Sequence, residues 1–289
     1  MIDFHSLYKN NSEFPQKLLS LTDCPKSLHI AGRIDPSDNL ALAVVGSRKM
    51  SSYGKEVCRD IVSKIVTRHV TIVSGFMYGV DIAAHNTAFE FGGRTIGVLG
   101  FGADFVGNVP DIKLAEAIVK EDRGALITEF NLDQAPQQWT FPKRDRIISA
   151  LANAVLVIEA AEKSGTFYTV EACVQQGKDV LAVPGSIYSD VSKGCHKLIE
   201  DGARIVKSAE DVIEALGILS TSSNPPAINN TSLSYDEECV LKLLDQVGIL
   251  VDDIIVKSEM QSSTVLSSLT ALEMKGFIRE VGGGMYRRI

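Results

Sequence analysis

The chain has 289 residues, enough for about two domains with a sizeable core, and 45% hydrophobic with 22% charged residues is ordinary globular composition, which excludes a disordered or fibrous protein. Lys and Arg number 29 against 36 Asp and Glu, a formal charge of -7 that argues against indiscriminate polyanion binding and leaves only a local basic groove for nucleic acid. No apolar run approaches the ~18 residues of a membrane helix, the first ten residues lack a signal-peptide block, and Cys24, Cys58, Cys173, Cys195 and Cys239 form no C-x-x-C pair or zinc spacing, so a cytoplasmic protein with reduced thiols, no membrane partner, no metal and no cofactor is expected.

In chain order, residues 1–39, with Pro15, Pro25 and Pro36, read as a short helical lead-in. From residue 40 short apolar runs alternate with helical patterns: 40–45, 70–74, 94–99, 125–130, 154–159 and 180–183 read as buried strands, with amphipathic stretches such as 54–67 and 111–120 between them. Near-continuous apolar strands separated by helices predict a mostly parallel, doubly wound α/β sheet over residues 40–216. Residues 217–233 carry Pro225-Pro226, several Ser and Asn and no charge, the composition of a linker. Beyond it, helical spacing at 235–246, 251–258 and 262–275, then two short strands about Gly282-Gly283-Gly284, predict a small winged-helix domain over 234–289.

Ligands of an open parallel sheet bind beyond the carboxyl ends of its strands. The first of these strands ends in Gly46-Ser47-Arg48, a small-residue turn at a helix entry, where backbone N–H groups and a guanidinium suit a phosphate. It is not a G-x-G-x-x-G fingerprint, so no nicotinamide dinucleotide is expected. Next come Ser74-Gly75 and the helix with Asp81 and His85 at i, i+4, read as packed groups rather than a catalytic pair, and then Gly100-Phe101-Gly102. The most distinctive stretch is Phe141-Pro142-Lys143-Arg144-Asp145-Arg146, three cations within four positions beside Trp139 and Phe141 at a helix start. Cations there oppose the macrodipole without an anion nearby, and cations beside aromatic rings suit a single nucleic-acid strand. Ser164-Gly165-Thr166 opens another helix at the same edge.

These motifs resemble the DprA/Smf family of DNA-processing proteins: V-G-S-R at 45–48, S-G-F-M-Y-G-V-D-I-A-A-H at 74–85, F-P-K-R-D-R-I-I-S-A at 141–150, V-I-E-A at 157–160, S-G-T at 164–166, A-V-P-G at 182–185 and L-I-E-D-G-A at 198–203. The resemblance covers nearly the whole α/β region in order, and the winged-helix tail fits it. It implies a Rossmann-like domain, a homodimer and a protein without a known catalytic reaction. Such a protein binds single-stranded DNA, protects incoming strands and helps load the RecA recombinase during natural transformation. Carried over by position, the implied DNA-binding residues are Gly46, Ser47, Arg48, Phe141, Lys143, Arg144, Arg146, Ser164 and Gly165. Asp145 stands where the family usually has Asn, a negative charge expected to weaken DNA affinity. Phe105-Val106, Cys195 and Thr166-Phe167-Tyr168 are further departures, read as packing variation.

Two other readings differ in class. Ser164 to Glu171 is similar to the P-G-G-x-G-T-x-x-E motif of nucleoside-monophosphate phosphoribohydrolases, whose glutamate supports glycosidic cleavage; here the preceding glycines are absent and Glu171 falls one residue late. A winged-helix duplex reader is the other. From Ser234 onward, however, the tail has 6 basic and 9 acidic residues, and its third helix has no arginine to offer base edges.

Overall fold

The computed structural model describes residues 2–218, 233–245 and 248–288, and the chain divides into two compact units, Met1–Ser220 and Thr221–Ile289. The sheet of the first unit is built from strands whose β-branched and alanine side chains are buried on both faces, which only helices on both sides of a sheet allow. In order it comprises β1 (His5–Tyr8), β2 (Ser27–Gly32), β3 (Ala41–Val45), α1 (Ser52–Val66), β4 (Thr71–Ser74), α2 (Val80–Glu90), β5 (Thr95–Val98), α3 (Ile112–Lys120), β6 (Gly124–Thr128), α4 (Thr140–Leu151), β7 (Ala154–Val157), α5 (Thr166–Gln175), β8 (Asp179–Ala182), α6 (Lys193–Glu200), β9 (Arg204–Ile205) and α7 (Ala209–Ala215).

Spatial order is β1-β2-β6-β5-β4-β3-β7-β8-β9, parallel from β6 to β9, with β1 and β2 antiparallel. Alternation along β3 divides the core. Ala41, Ala43 and Val45 face Ile147 and Ile148 of α4, whereas Leu42 and Val44 face Cys58, Ile61 and Ile65 of α1. A third cluster packs α3 on the β5–β6 side around Phe76, Leu99 and Ile118.

The expected helical lead-in is corrected here. Residues 5–8 and 27–32 are strands, joined by a short 3-10 turn at Gln16–Ser20. Alternation in Ser27-Leu28-His29-Ile30 buries Leu28 and Ile30, and β2 extends the sheet by pairing His29 with Thr128 and Ile30 with Ile127. The expected linker falls mostly on residues 219–232, which lie outside the described residues.

Helix α4 has an unusual carboxyl end. Its last carbonyls, which no helical N–H reaches, accept from two lysines. Lys178 Nζ donates to Ser149 O, Ala150 O and Ala152 O at 2.7–2.8 Å, and Lys17 Nζ donates to Leu151 O at 2.9 Å. Burial pushes the Lys17 ammonium down to about 8.

The second unit contains α8 (Tyr235–Leu243), β10 (Ile249–Leu250), α9 (Val251–Ser258), α10 (Ser262–Met274), β11 (Ile278–Glu280) and β12 (Met285–Arg288), with a three-stranded sheet ordered β10-β12-β11. Val240, Leu241, Ile254, Val265, Leu269, Leu272 and Ile278 form its own core. Three helices and a hairpin make it a winged helix.

Candidate nucleic-acid interface

Strands β3 and β7 lie side by side, and the chain leaves them for opposite directions along the sheet, β4 through β6 on one side and β8 and β9 on the other. Their carboxyl ends therefore open a crevice at the topological switch point. Loop 46–48 enters it from β3 and is held on two sides: Ser47 N donates to Glu159 O (2.7 Å), and Val80 N donates to Ser47 O (3.2 Å). Gly79, at φ +80°, makes the second contact possible, because a Cβ there would stand 2.1 Å from Ser47 O. Buried Glu159 accepts from the Ser51 N–H and hydroxyl, and Ser51 in turn caps α1. With its backbone fixed, Arg48 extends into solvent over the Phe141 ring, 5.2 Å from the centroid.

The seat for Phe141 comes from the third glycine loop. A Cβ on Gly100 would lie 2.7 Å from the Phe141 ring, so this glycine leaves room for an aromatic and does not cradle a phosphate. On the far wall Ser164 accepts from Thr166 N at 3.2 Å, and Gly165 stands as the uncapped entry to α5. Gly46, Ser47, Arg48, Phe141, Arg144, Ser164 and Gly165 thus share one cavity of about 540 Å³, together with Lys49, Asp81, Asp145 and Tyr168. Two small-residue turns, Gly46-Ser47 after β3 and Ser164-Gly165 before α5, line this cavity.

The basic stretch of α4 divides: Arg144 turns inward, whereas Lys143 and Arg146 both turn toward Glu129. Arg144 is only 4% exposed; its guanidinium donates to Asp145 Oδ1 (2.9 Å), to Gly75 O (2.7 Å) and to Val98 O. The expectation of an arginine reaching a strand is revised accordingly: Arg144 is part of the cavity wall, pinned to the ends of β4 and β5. Arg146 is also held within the protein, by both Glu129 oxygens at 2.8 Å and by Asp23, and it does not line the cavity. Lys143 also lies outside the cavity, with an exposed ammonium. Asp145 is buried against Arg144, so the expected bare negative charge beside the groove is an internal ion pair; burial still pushes its carboxyl above the ordinary range.

Asp81 is the carboxylate that the motif reading undervalued. It lines the cavity, and desolvation raises it from 3.8 to about 6, against the pull of Arg144. His85 does not line the cavity. Its Nδ1 hydrogen-bonds Thr95 Oγ1 at 2.6 Å, its ring lies 4.6 Å from Phe76, and burial lowers it to about 3, so it is a neutral packed imidazole as expected. Glu171 lies on the exposed side of α5, accepts from Gln175 and is not among the cavity residues. Cys195 and Phe105 are packing residues in the cores. Among the described residues no helix is long and apolar enough to cross a membrane, and no three His, Cys, Asp or Glu side chains could hold a metal ion.

The family model for DNA recombination-mediator protein A matches residues 5–217, and that for the DprA winged helix domain matches residues 224–284. Protein Smf of Escherichia coli is 38% identical over 98% of this chain and 77% of its own length. The DNA processing protein DprA of Streptococcus pneumoniae is 36% identical over 69% of this chain and 70% of its own length. The X-ray structure of Streptococcus pneumoniae DprA superposes with a TM-score of 0.66 at 34% identity, covering 73% of this chain and 74% of that one. A structure of DNA processing protein A from Helicobacter pylori, which concerns its single-stranded DNA binding mode, gives 0.65 at 25% identity over 74% and 96% of the two chains.

Proposed function

The chain belongs to the DNA recombination-mediator protein A family, the DprA/Smf DNA-processing proteins, and we propose that it binds single-stranded DNA at the carboxyl edge of its sheet. The observation that carries this reading is the convergence of Gly46, Ser47, Arg48, Phe141, Ser164 and Gly165 on one cavity at the switch point. In this reading the exposed Arg48 meets phosphates there, at a cavity of about 540 Å³. In the same reading the protein works in the cytoplasm as a homodimer, shields the strand and passes it to the RecA recombinase during natural transformation. Its part is to hold and hand over, with no bond made or broken.

The phosphoribohydrolase reading needs a carboxylate within reach of the bound nucleotide. Glu171, the candidate, sits on the solvent side of α5. The duplex-reader reading needs basic or amide side chains along the recognition helix, and α10 offers Ser262, Ser263, Ser267 and Thr270 on its exposed side. The winged helix therefore fits a partner-contact role better.

The test is a titration of purified protein with single- and double-stranded oligonucleotides of equal length. A strong single-strand preference is the expected outcome; equal affinity for the two, or release of free base from a nucleoside monophosphate, would overturn the proposal.

A further inference from the structure

Phe141 lines the cavity half-buried, with Arg48 at 5.2 Å and Arg144 at 6.0 Å from its centroid. The accessible ring is two residues earlier. Trp139, the single tryptophan of the chain, is 54% exposed. It stands between Gln138 and Phe141, both of which line the cavity.

Its backbone is fixed although its ring is open. Buried Thr140 donates its hydroxyl to Gln137 O at 2.8 Å, and the preceding loop is tied down by Gly102 N to Gln134 O (2.8 Å) and Asp104 N to Leu132 O (3.0 Å). The indole meets Phe130 in an edge-on contact at 5.8 Å. The Lys143 ammonium, one helical turn away, lies 5.9 Å from the Trp139 centroid and 5.6 Å from that of Phe130. Glu129 stands 4.0 Å from Lys143, but both its oxygens receive Arg146 at 2.8 Å, so it is a weak competitor for the lysine.

We propose that Trp139 and Lys143 form a stacking subsite beside the cavity, in which a nucleobase lies on the exposed indole and the adjoining phosphate meets the Lys143 ammonium. A preordered aromatic ring costs little entropy to use, and any base presents a π-face to it, so the subsite is indifferent to sequence. The cation over one side of the ring adds a phosphate contact that a purely apolar partner would not use. The subsite carries the strand beyond the cavity mouth along the first turn of α4. This rests on the single-strand reading above and adds a position to it.

Because Trp139 is the only tryptophan, its emission reports on this subsite alone. Full-length protein is titrated with oligothymidylate while indole fluorescence is followed, and in parallel with an end-labelled strand followed by anisotropy. Quenching should track the anisotropy isotherm, and an abasic strand of equal length should bind with little quenching. Trp139→Ala should weaken binding roughly tenfold and Trp139→Phe should restore most of it, with unchanged circular dichroism in both. Wild-type affinity in Trp139→Ala, or strand binding without any change in indole emission, removes the subsite and leaves the cavity reading standing. No anisotropy change with wild-type protein removes the single-strand reading itself.

Discussion

Lys143 and Arg144 are neighbours in one basic motif, yet they belong to two different regions of the molecule. Arg144 is sealed beneath the cavity with Asp145 and two strand-end carbonyls as partners, whereas Lys143 sits outside with aromatic rings beside it and its ammonium in water. The first holds the site in shape, and the second, with Arg48, is free to meet a ligand. Density of positive charge along a sequence therefore overstates the charge available to DNA. Inner cations are matched by inner carboxylates, and the electrostatic footprint of the proposed site is the outer set, Arg48 and Lys143 together with the exposed Lys49 at the cavity.

The largest expected effect breaks the inner half. Arg144→Met leaves the buried Asp145 carboxylate and the Gly75 and Val98 carbonyls without their donor, so stability should fall by about 3–5 kcal/mol, measured as the shift in a urea unfolding curve. An Arg144→Met protein as stable as wild type would show that the guanidinium is not structural, and the inner–outer distinction would be lost.

The outer half should respond in the opposite currency. Arg48→Ala and Lys143→Ala are each expected to weaken single-strand binding by about five- to tenfold, the loss of one charged contact. Each should also make the log–log salt dependence shallower by about 0.7. Their unfolding midpoints should move little, since surface substitutions usually stay within about ±0.5 kcal/mol and the Arg48 contact with Phe141 adds at most about 1 kcal/mol. A large stability loss in either variant, with an unaltered salt slope, would assign that residue to the inner set.

A second stability effect, below that of Arg144→Met, tests the inner half by pH. Asp81 is raised from 3.8 to about 6 by desolvation, so the folded state holds a proton that the unfolded state releases between those values. Its contribution is fully present below about 3.8 and is lost as pH rises through about 6. His85, lowered to about 3, acts in the reverse sense: its contribution is complete above about 6.5 and is lost as pH falls toward 3. The two slopes oppose each other across the overlap, so a wild-type profile alone does not reveal Asp81. The difference between wild type and Asp81→Asn does. Wild-type stability relative to the variant should decline from about pH 3.8 to 6 and then level off, as read from urea midpoints at each pH. A flat difference would place Asp81 in contact with water.

Much of this arrangement is legible in the residues, and the failures have physical causes. The strands of the parallel sheet are apolar on both faces, and their loops fall on one edge by the rule of parallel topology, so Gly46-Ser47-Arg48 and Ser164-Gly165 could be assigned to one site before any coordinates. The strand at residues 27–32 was hidden because only its alternate residues Leu28 and Ile30 are strongly apolar and prolines flank the segment. The division of the basic motif was available in principle. Residues one or two apart on a helix do not share a face whereas residues three apart do, so Arg144 had to point away from Lys143 and Arg146, which both turn toward Glu129. Which of them pointed inward depends on Asp145, Gly75 and Val98, partners up to 69 residues away, and no local pattern carries that information. Gly100 shows the same limit. In sequence it is one more glycine-lined loop at the same edge, and its role is to leave space for a ring from α4.

The smallest expected effect concerns the second unit. If the outer set and the cavity carry strand binding, a chain ending at residue 218 should bind a single-stranded oligonucleotide within about twofold of the full protein, near the limit of what a titration resolves. The first unit has its own cores and the second has its own, built around Val240, Val265 and Leu269. The recognition-type helix α10 presents Ser263, Leu266, Ser267, Thr270 and Met274 on its exposed side, groups that give a phosphate backbone no charge to hold. An unchanged salt slope in the truncated chain would locate every phosphate contact in the first unit. A slope shallower by about 1.4 would mean that two contacts had been lost. The basic residues of the hairpin, Arg279, Arg287 and Arg288, would then become the groups to replace one at a time.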